Sequence, residues 1–200
     1  MTYVPVTTSS DSSTVTASIG SLTGMLAGQL YLFVSSTNCW IKQGTTKLVT
    51  CATNANMADG DKLTIAVSNG DSVTYEYDKS ANGVASTSTS WAAGAGTAAQ
   101  TAATLATAIG IAQPTLVVTD NADGTLTITV KDKHATFTEE VTHASFTVAD
   151  AHPPAAAADG SMFVPAATQI LIDGDNGPQL GVLRNTADGH ASLTRVAEVR

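Results

Sequence analysis

The chain has 200 residues, enough for one larger domain or two small ones, and its hydrophobic fraction of 43% allows a buried core. Charged residues make up only 13%, about half the usual share of roughly 25%, and Ser, Thr, Ala and Gly take their place. The net charge of −8, with nine scattered Lys and Arg, excludes a phosphate-binding surface and so a nucleic-acid partner.

From the N-terminus, Met1-Thr2-Tyr3-Val4-Pro5 lacks the positive region and apolar core of an export signal. The run Ile19–Val34 is broken by Ser21, Thr23, Gly24, Gly28 and Gln29 and is too short to span a membrane. Short β-branched and aromatic runs separated by Gly, Asn and Asp predict strands at Tyr3–Val6, Ser13–Ser18, Gln29–Ser35 and Asn38–Lys42. Tyr31 and Phe33 alternate with Leu30, Leu32 and Val34, so this strand is apolar on both faces and is read as lying between layers or at a subunit interface. Trp40 lies in a predicted strand and is read as core. Cys39 and Cys51 are too few for a structural zinc site, which leaves two buried reduced thiols or a disulfide.

Next come predicted strands at Lys62–Ser68 and Ser72–Tyr77, joined by Ser68-Asn69-Gly70-Asp71, a turn whose Asn-Gly pair tolerates positive φ. Lys79–Gly96 reads as an exposed low-complexity loop, with Trp91 in it either folding back or touching a partner. Thr97–Ile111 has Ala98, Thr101, Ala102, Leu105, Ala108 and Ile109 on one stripe and predicts a helix stopped by Gly110 and Pro114. Strands follow at Thr115–Thr119, Thr125–Lys131, Ser145–Ala149, Ser161–Val164, Thr168–Ile172, Gln179–Arg184 and Ala191–Val199. Ala-Asp-Gly occurs before strands at Ala58–Gly60, Ala122–Gly124, Ala158–Gly160 and Ala187–Gly189.

The expected fold is therefore mainly β: a small β-sandwich or jelly-roll-like outer domain, with an inserted α+β domain of strands and one helix. The outer domain takes residues 1–46 plus 153–200, because neither end alone has enough strands to close a sandwich. The insert takes 47–152. Its junctions are read as loops, Gly44-Thr45-Thr46 on one side and Ala151–Gly160 on the other.

Two segments now carry a resemblance. Asn38-Cys39-Trp40-Ile41-Lys42-Gln43-Gly44, with Ala155-Ala156-Ala157-Ala158-Asp159-Gly160-Ser161-Met162-Phe163-Val164-Pro165-Ala166, resembles small β-sandwich proteins encoded among the virion genes of tailed bacteriophages. In those proteins this pattern leads to a Gly-rich turn and a closing hairpin, here Ile170–Gly174, Leu180–Arg184 and Ala191–Thr194. The middle of the chain resembles modules of phage capsid and tail proteins through Asp71–Asp78, the Ala/Thr helix and Asn121–Ile128. The resemblance implies a structural virion protein, foremost a capsid decoration or cement protein on the outside of the head. A head–tail junction or fibre-anchoring subunit is the alternative, and a glycan-binding adhesin stands behind both. It implies other virion proteins as partners (the major capsid protein, or connector or fibre subunits), homo-oligomerisation, and residence in the virion after assembly in the host cytoplasm.

No catalytic pattern appears. Gly-x-Ser-x-Gly, a phosphate-binding Gly-rich loop and His-Glu-x-x-His are all absent. Glu139, Glu140 and His143 read as a solvated turn, and Asp173-Gly174-Asp175-Asn176-Gly177 as a tight turn rather than a calcium loop, since Arg184 stands where the bidentate Glu belongs. The chain is expected to be no enzyme, to need no cofactor or metal, and to meet partners through Trp91, Tyr31 and Phe33.

Overall fold

A computed structural model describes residues 2–16, 20–68, 70–93, 96–131, 133–151 and 161–199. In chain order the strands are β1 (Thr2–Val15), β2 (Gly20–Leu22), β3 (Leu30–Ser35), β4 (Cys39–Thr50), β5 (Lys62–Val67), β6 (Ser72–Asp78) and β7 (Thr89–Ala92). Helix α1 (Ala98–Ala112) follows, then β8 (Val117–Asp120), β9 (Thr125–Lys131), β10 (Ala135–Glu140), β11 (Thr147–Asp150), β12 (Met162–Val164), β13 (Gln169–Asp173), β14 (Gln179–Arg184) and β15 (Gly189–Val199). The chain is mainly β with one helix, as its sequence implies.

Two compact units form. The first combines Met1–Thr45, Lys131–His134 and His152–Arg200, and the second Thr46–Val130 with Ala135–Ala151. One boundary does not fall in a loop. Gly44, Thr45 and Thr46 sit inside β4, and both threonines are buried. Threonine suits this place because its branched side chain fits a pleated strand while its hydroxyl finds a partner: Thr45 Oγ1 donates to the Lys133 carbonyl (2.7 Å), and Thr46 Oγ1 shares a hydrogen bond with Thr129 Oγ1 (3.2 Å). The other expected junction, Ala151–Gly160, lies outside the described residues from His152 on, as does the third Ala-Asp-Gly turn.

In the first unit, one sheet runs β1-β15-β3-β13 and the other has β14 and β12 flanking the first half of β4, with β2 beyond β14. Strict alternation sends Tyr31, Phe33 and Ser35 of β3 inward, where Phe33 meets Cys39, Ile41, Val164, Val182 and Leu193 in one core. Leu30, Leu32 and Val34 occupy the other face, half-buried. Two glycines close the end of this unit. Gly177 adopts φ 128°, and a Cβ on Gly174 would lie 2.1 Å from the Leu26 carbonyl oxygen. The Asp173–Gly177 segment is a 3-10 turn whose carboxylates hold backbone: Asp173 Oδ1 accepts from Asp175 N (3.0 Å), and Asp175 Oδ1 accepts from Gly28 N.

In the second unit, a sheet of order β10-β5-β6-β7 shares a core with α1 and with the strands β9, β8 and β11 that gather at the second half of β4. Hairpin β5–β6 pairs Ala66 with Ser72, and Gly70 supplies φ 93°, while Asn69 of the expected turn lies outside the described residues. Helix α1 starts on a capping box: Thr97 Oγ1 accepts from Gln100 N, and Gln100 Oε1 accepts from Thr97 N. Its buried stripe is Thr101, Ala102, Leu105, Ala108 and Ile109.

Two strands in this unit go beyond the sequence reading. Thr89–Ala92, expected in a loop, pairs in parallel with β6 as β7, because a single large side chain anchors it. Trp91 is fully buried, packs edge-on against Tyr77 at 4.9 Å, and donates through Nε1 to the Thr101 carbonyl and Thr104 Oγ1, each at 3.2 Å. Ala135–Glu140 forms the edge strand β10, with Ala135 and Phe137 half-buried and its Thr and Glu exposed. Trp91→Ala should destabilise the protein by ~3–5 kcal/mol, the range for emptying a buried aromatic site, as measured by denaturant unfolding.

Candidate interaction surface

Trp91, Tyr31 and Phe33, the expected partner contacts, are all interior side chains. Tyr31 and Phe33 point to the core side of β3, and Trp91 is the centre of the second unit's core. The aromatic surface is elsewhere, around a half-buried residue expected in the core. Trp40 stands on the outer face of β4, because its neighbours Cys39 and Ile41 take the inner one.

Strand register builds a row around it. Phe163 of β12 lies opposite Trp40 on one side and Leu183 of β14 opposite it on the other. Directly opposed residues share a face, so Phe163, Trp40 and Leu183 cross the outside of the sheet side by side. The Trp40 and Phe163 rings are tilted at 56° with centroids 5.1 Å apart, within the range of a favourable aromatic pair. Phe163 is 41% exposed and its neighbour Met162 50% exposed.

Two asparagines frame the row. Asn185 Oδ1 accepts from Trp40 Nε1 (3.3 Å), and Asn185 N donates to the Asn38 carbonyl (3.0 Å). Asn38 Oδ1 accepts from Ala166 N (2.8 Å), tying the segment after β12 to the start of β4. Arg184 and Asp188 form an ion pair at 2.7 Å, so local charge is balanced.

Charge is unevenly divided between the units. By sequence the first holds seven Asp and Glu against six Lys and Arg, net −1, and the second holds ten against three, net −7. The aromatic row thus belongs to the nearly neutral unit.

Among the described residues no group of three or more His, Cys, Asp and Glu is arranged to hold a metal ion. Glu139 and Glu140 are exposed on β10, and His143 Nδ1 makes a local hydrogen bond with Ser145 Oγ (2.7 Å). No described helix is long and apolar enough to cross a membrane.

Both cysteines are free and buried. The disulfide alternative fails because Cys39 opens the extended strand β4 and Cys51 follows its end, and a chain rising ~3.3 Å per residue cannot return within the ~7 Å that a disulfide needs. Burial raises the Cys39 thiol pKa, with the Ser35 hydroxyl opposing, and pushes Cys51 up to about 12, with the Asp120 carboxylate adding to the effect. The folded state therefore binds protons that the unfolded thiols release above their ordinary pKa of about 8.5. Stability should fall as pH rises from about 8.5 towards 12, and at pH 8 a thiol reagent should label neither cysteine until denaturant is added.

No family model and no curated protein matches the chain. Among solved structures it is similar to the flagellar cap protein FliD D2-D3 domains from Escherichia coli, with 16% identity and a TM-score of 0.36 over 95% of this chain and 100% of that one. It is also similar to the FliD D1-D2-D3 domains from the same organism, with 15% identity and a TM-score of 0.32 over 93% of this chain and 57% of that one. Likenesses this distant carry no functional argument.

Proposed function

We propose that the chain is a non-catalytic structural subunit of a tailed-phage particle, of the capsid decoration type, which meets other virion proteins through the Phe163–Trp40–Leu183 face. One observation carries this reading. The two segments that resemble the phage proteins, Asn38–Gly44 and Ala155–Ala166, of which 161–166 are described, are more than 100 residues apart, yet they pair in register as Met162↔Ile41, Phe163↔Trp40 and Val164↔Cys39. The resemblance therefore falls on one built piece of structure, and that piece presents exposed Phe163 beside half-buried Trp40.

Burying apolar area against protein is how a low-charge β surface gains affinity, and Trp is among the residues that most often dominate such contacts. The acidic second unit, by contrast, has the charge that keeps a protein soluble.

The test is co-sedimentation of the purified protein with assembled capsids that lack it. Saturation at hundreds of copies supports decoration, and saturation at roughly a dozen, as a closed ring would give, moves the assignment to the junction. No binding to any particle component rejects the reading. Phe163→Ala should weaken binding about tenfold, equivalent to ~1.4 kcal/mol, with little change in unfolding midpoint because the side chain is exposed. Replacing Glu139, Glu140 and His143 together by Ala should leave infectivity intact; its loss with normal folding and incorporation would revive an enzymatic reading.

A further inference from the structure

We infer that strand β13 is a self-pairing edge, through which a second copy of this chain adds antiparallel to the β1-β15-β3-β13 sheet about a two-fold axis at Leu171. This goes beyond the particle reading and does not rest on it.

β13 ends its sheet, with β3 on one side and no strand on the other among the described residues. Gly174 N donates to the Gln29 carbonyl, so even-numbered residues of β13 hydrogen-bond towards β3. The main-chain groups of the odd-numbered residues Gln169, Leu171 and Asp173 therefore point away from it. Of these, the Asp173 carbonyl already accepts from Gln43 Nε2 at 2.7 Å, which leaves Leu171 as the centre of the open stretch.

An open edge is normally blunted by Lys, Pro, a bulge or an inward charge, and Gln169-Ile170-Leu171-Ile172-Asp173 has none of these between its ends. Two other edge strands are blunted. β10 carries exposed Glu139 and Glu140, and β1 contains Pro5 and a register shift between Pro5 and Ser10. Leu171 is 43% exposed on the outer face, beside half-buried Leu32.

The occupant follows from the strand's own sequence. Read antiparallel against itself about Leu171, Gln169 falls opposite Asp173, Ile170 opposite Ile172, and Leu171 opposite Leu171. Amide meets carboxylate, both isoleucines extend the inner face, and the exposed leucines meet as Leu32–Leu171–Leu171–Leu32 across the axis. Leu171 forms a hydrogen-bonded pair with its copy, and with the Asp173 N–H meeting the Gln169 carbonyl on each side the edge gains about four main-chain hydrogen bonds. The unit that bears the strand carries only −1 of the chain's net −8, so most of the like charge between two copies is borne by the other unit.

The geometry sets a cross-linking test on the full chain. A hydrogen-bonded antiparallel pair places opposed Cα atoms about 5.5 Å apart, inside disulfide range, whereas Gln169 and its copy would be separated by roughly four residues of strand, about 13 Å. Under mild oxidation Leu171→Cys should give a disulfide dimer on a non-reducing gel and Gln169→Cys should not, while Gln169→Cys with Asp173→Cys should link again. The buried native cysteines keep the wild-type background low. Sedimentation should show a wild-type dimer, and Leu171→Lys, which sets like charges opposite each other, should raise its dissociation constant at least about tenfold with an unchanged circular dichroism spectrum. A wild-type monomer throughout the micromolar range, or cross-linking of Gln169→Cys as readily as Leu171→Cys, overturns the proposal. Either result leaves the capsid test standing, and failure to bind capsids leaves the dimer standing.

Discussion

The register of β12 on β4 is the constraint that decides the character of the first unit's surface. Val164 opposite Cys39 sends both into the core, and Phe163 opposite Trp40 sends both out. Because side chains alternate with period two, a slip of β12 by one residue would turn Phe163 inward and Val164 outward, while β14 holds Trp40 and Cys39 of β4 where they are. The slip is opposed from two directions. Val164 would leave the core that it shares with Cys39 and Ile41, and Asn38 Oδ1 accepts from Ala166 N just beyond the strand. A surface row of Phe, Trp and Leu is thus the consequence of filling the interior with Cys39, Ile41, Val164 and Val182.

How much of this was legible in the sequence depended on how each strand is anchored. Strands with several buried apolar residues, such as Lys62–Val67, Thr125–Lys131 and Gln179–Arg184, were visible as alternating or continuous β-branched runs. The helix was visible because its stripe holds three- and four-residue spacing over four turns. β7 was hidden because only Trp91 carries its burial, and one residue has no period. β10 was hidden because an edge strand with one covered face needs little apolar content, and Thr and Glu suffice for the rest.

The surface residues were harder to read, for a physical reason. An aromatic in a strand can go to either face, and which one it takes is decided by the partner across the ladder, which the local sequence does not reveal. Trp40 reads as core and is half-buried on the outer face, whereas Trp91 sits among Ser and Gly and is wholly buried. A usable signal for Trp40 was the Cys-Trp-Ile triplet itself. Cys and Ile are among the most buried residue types, and with both at alternate positions the intervening Trp must take the opposite face.

The division of charge bears on the same question. A chain that places ten carboxylates and three lysines in one unit, and nearly equal numbers of both signs in the other, repels its copies through the first kind of surface and not through the second. Apolar residues exposed on the nearly neutral unit gain by being covered. The exposed Phe163 and the exposed Leu171 lie in different sheets of that unit, on β12 and β13. They therefore form two separate apolar spots rather than one enlarged patch, and if both are contacts, each subunit has the two distinct faces that an assembly needs to extend beyond a closed pair.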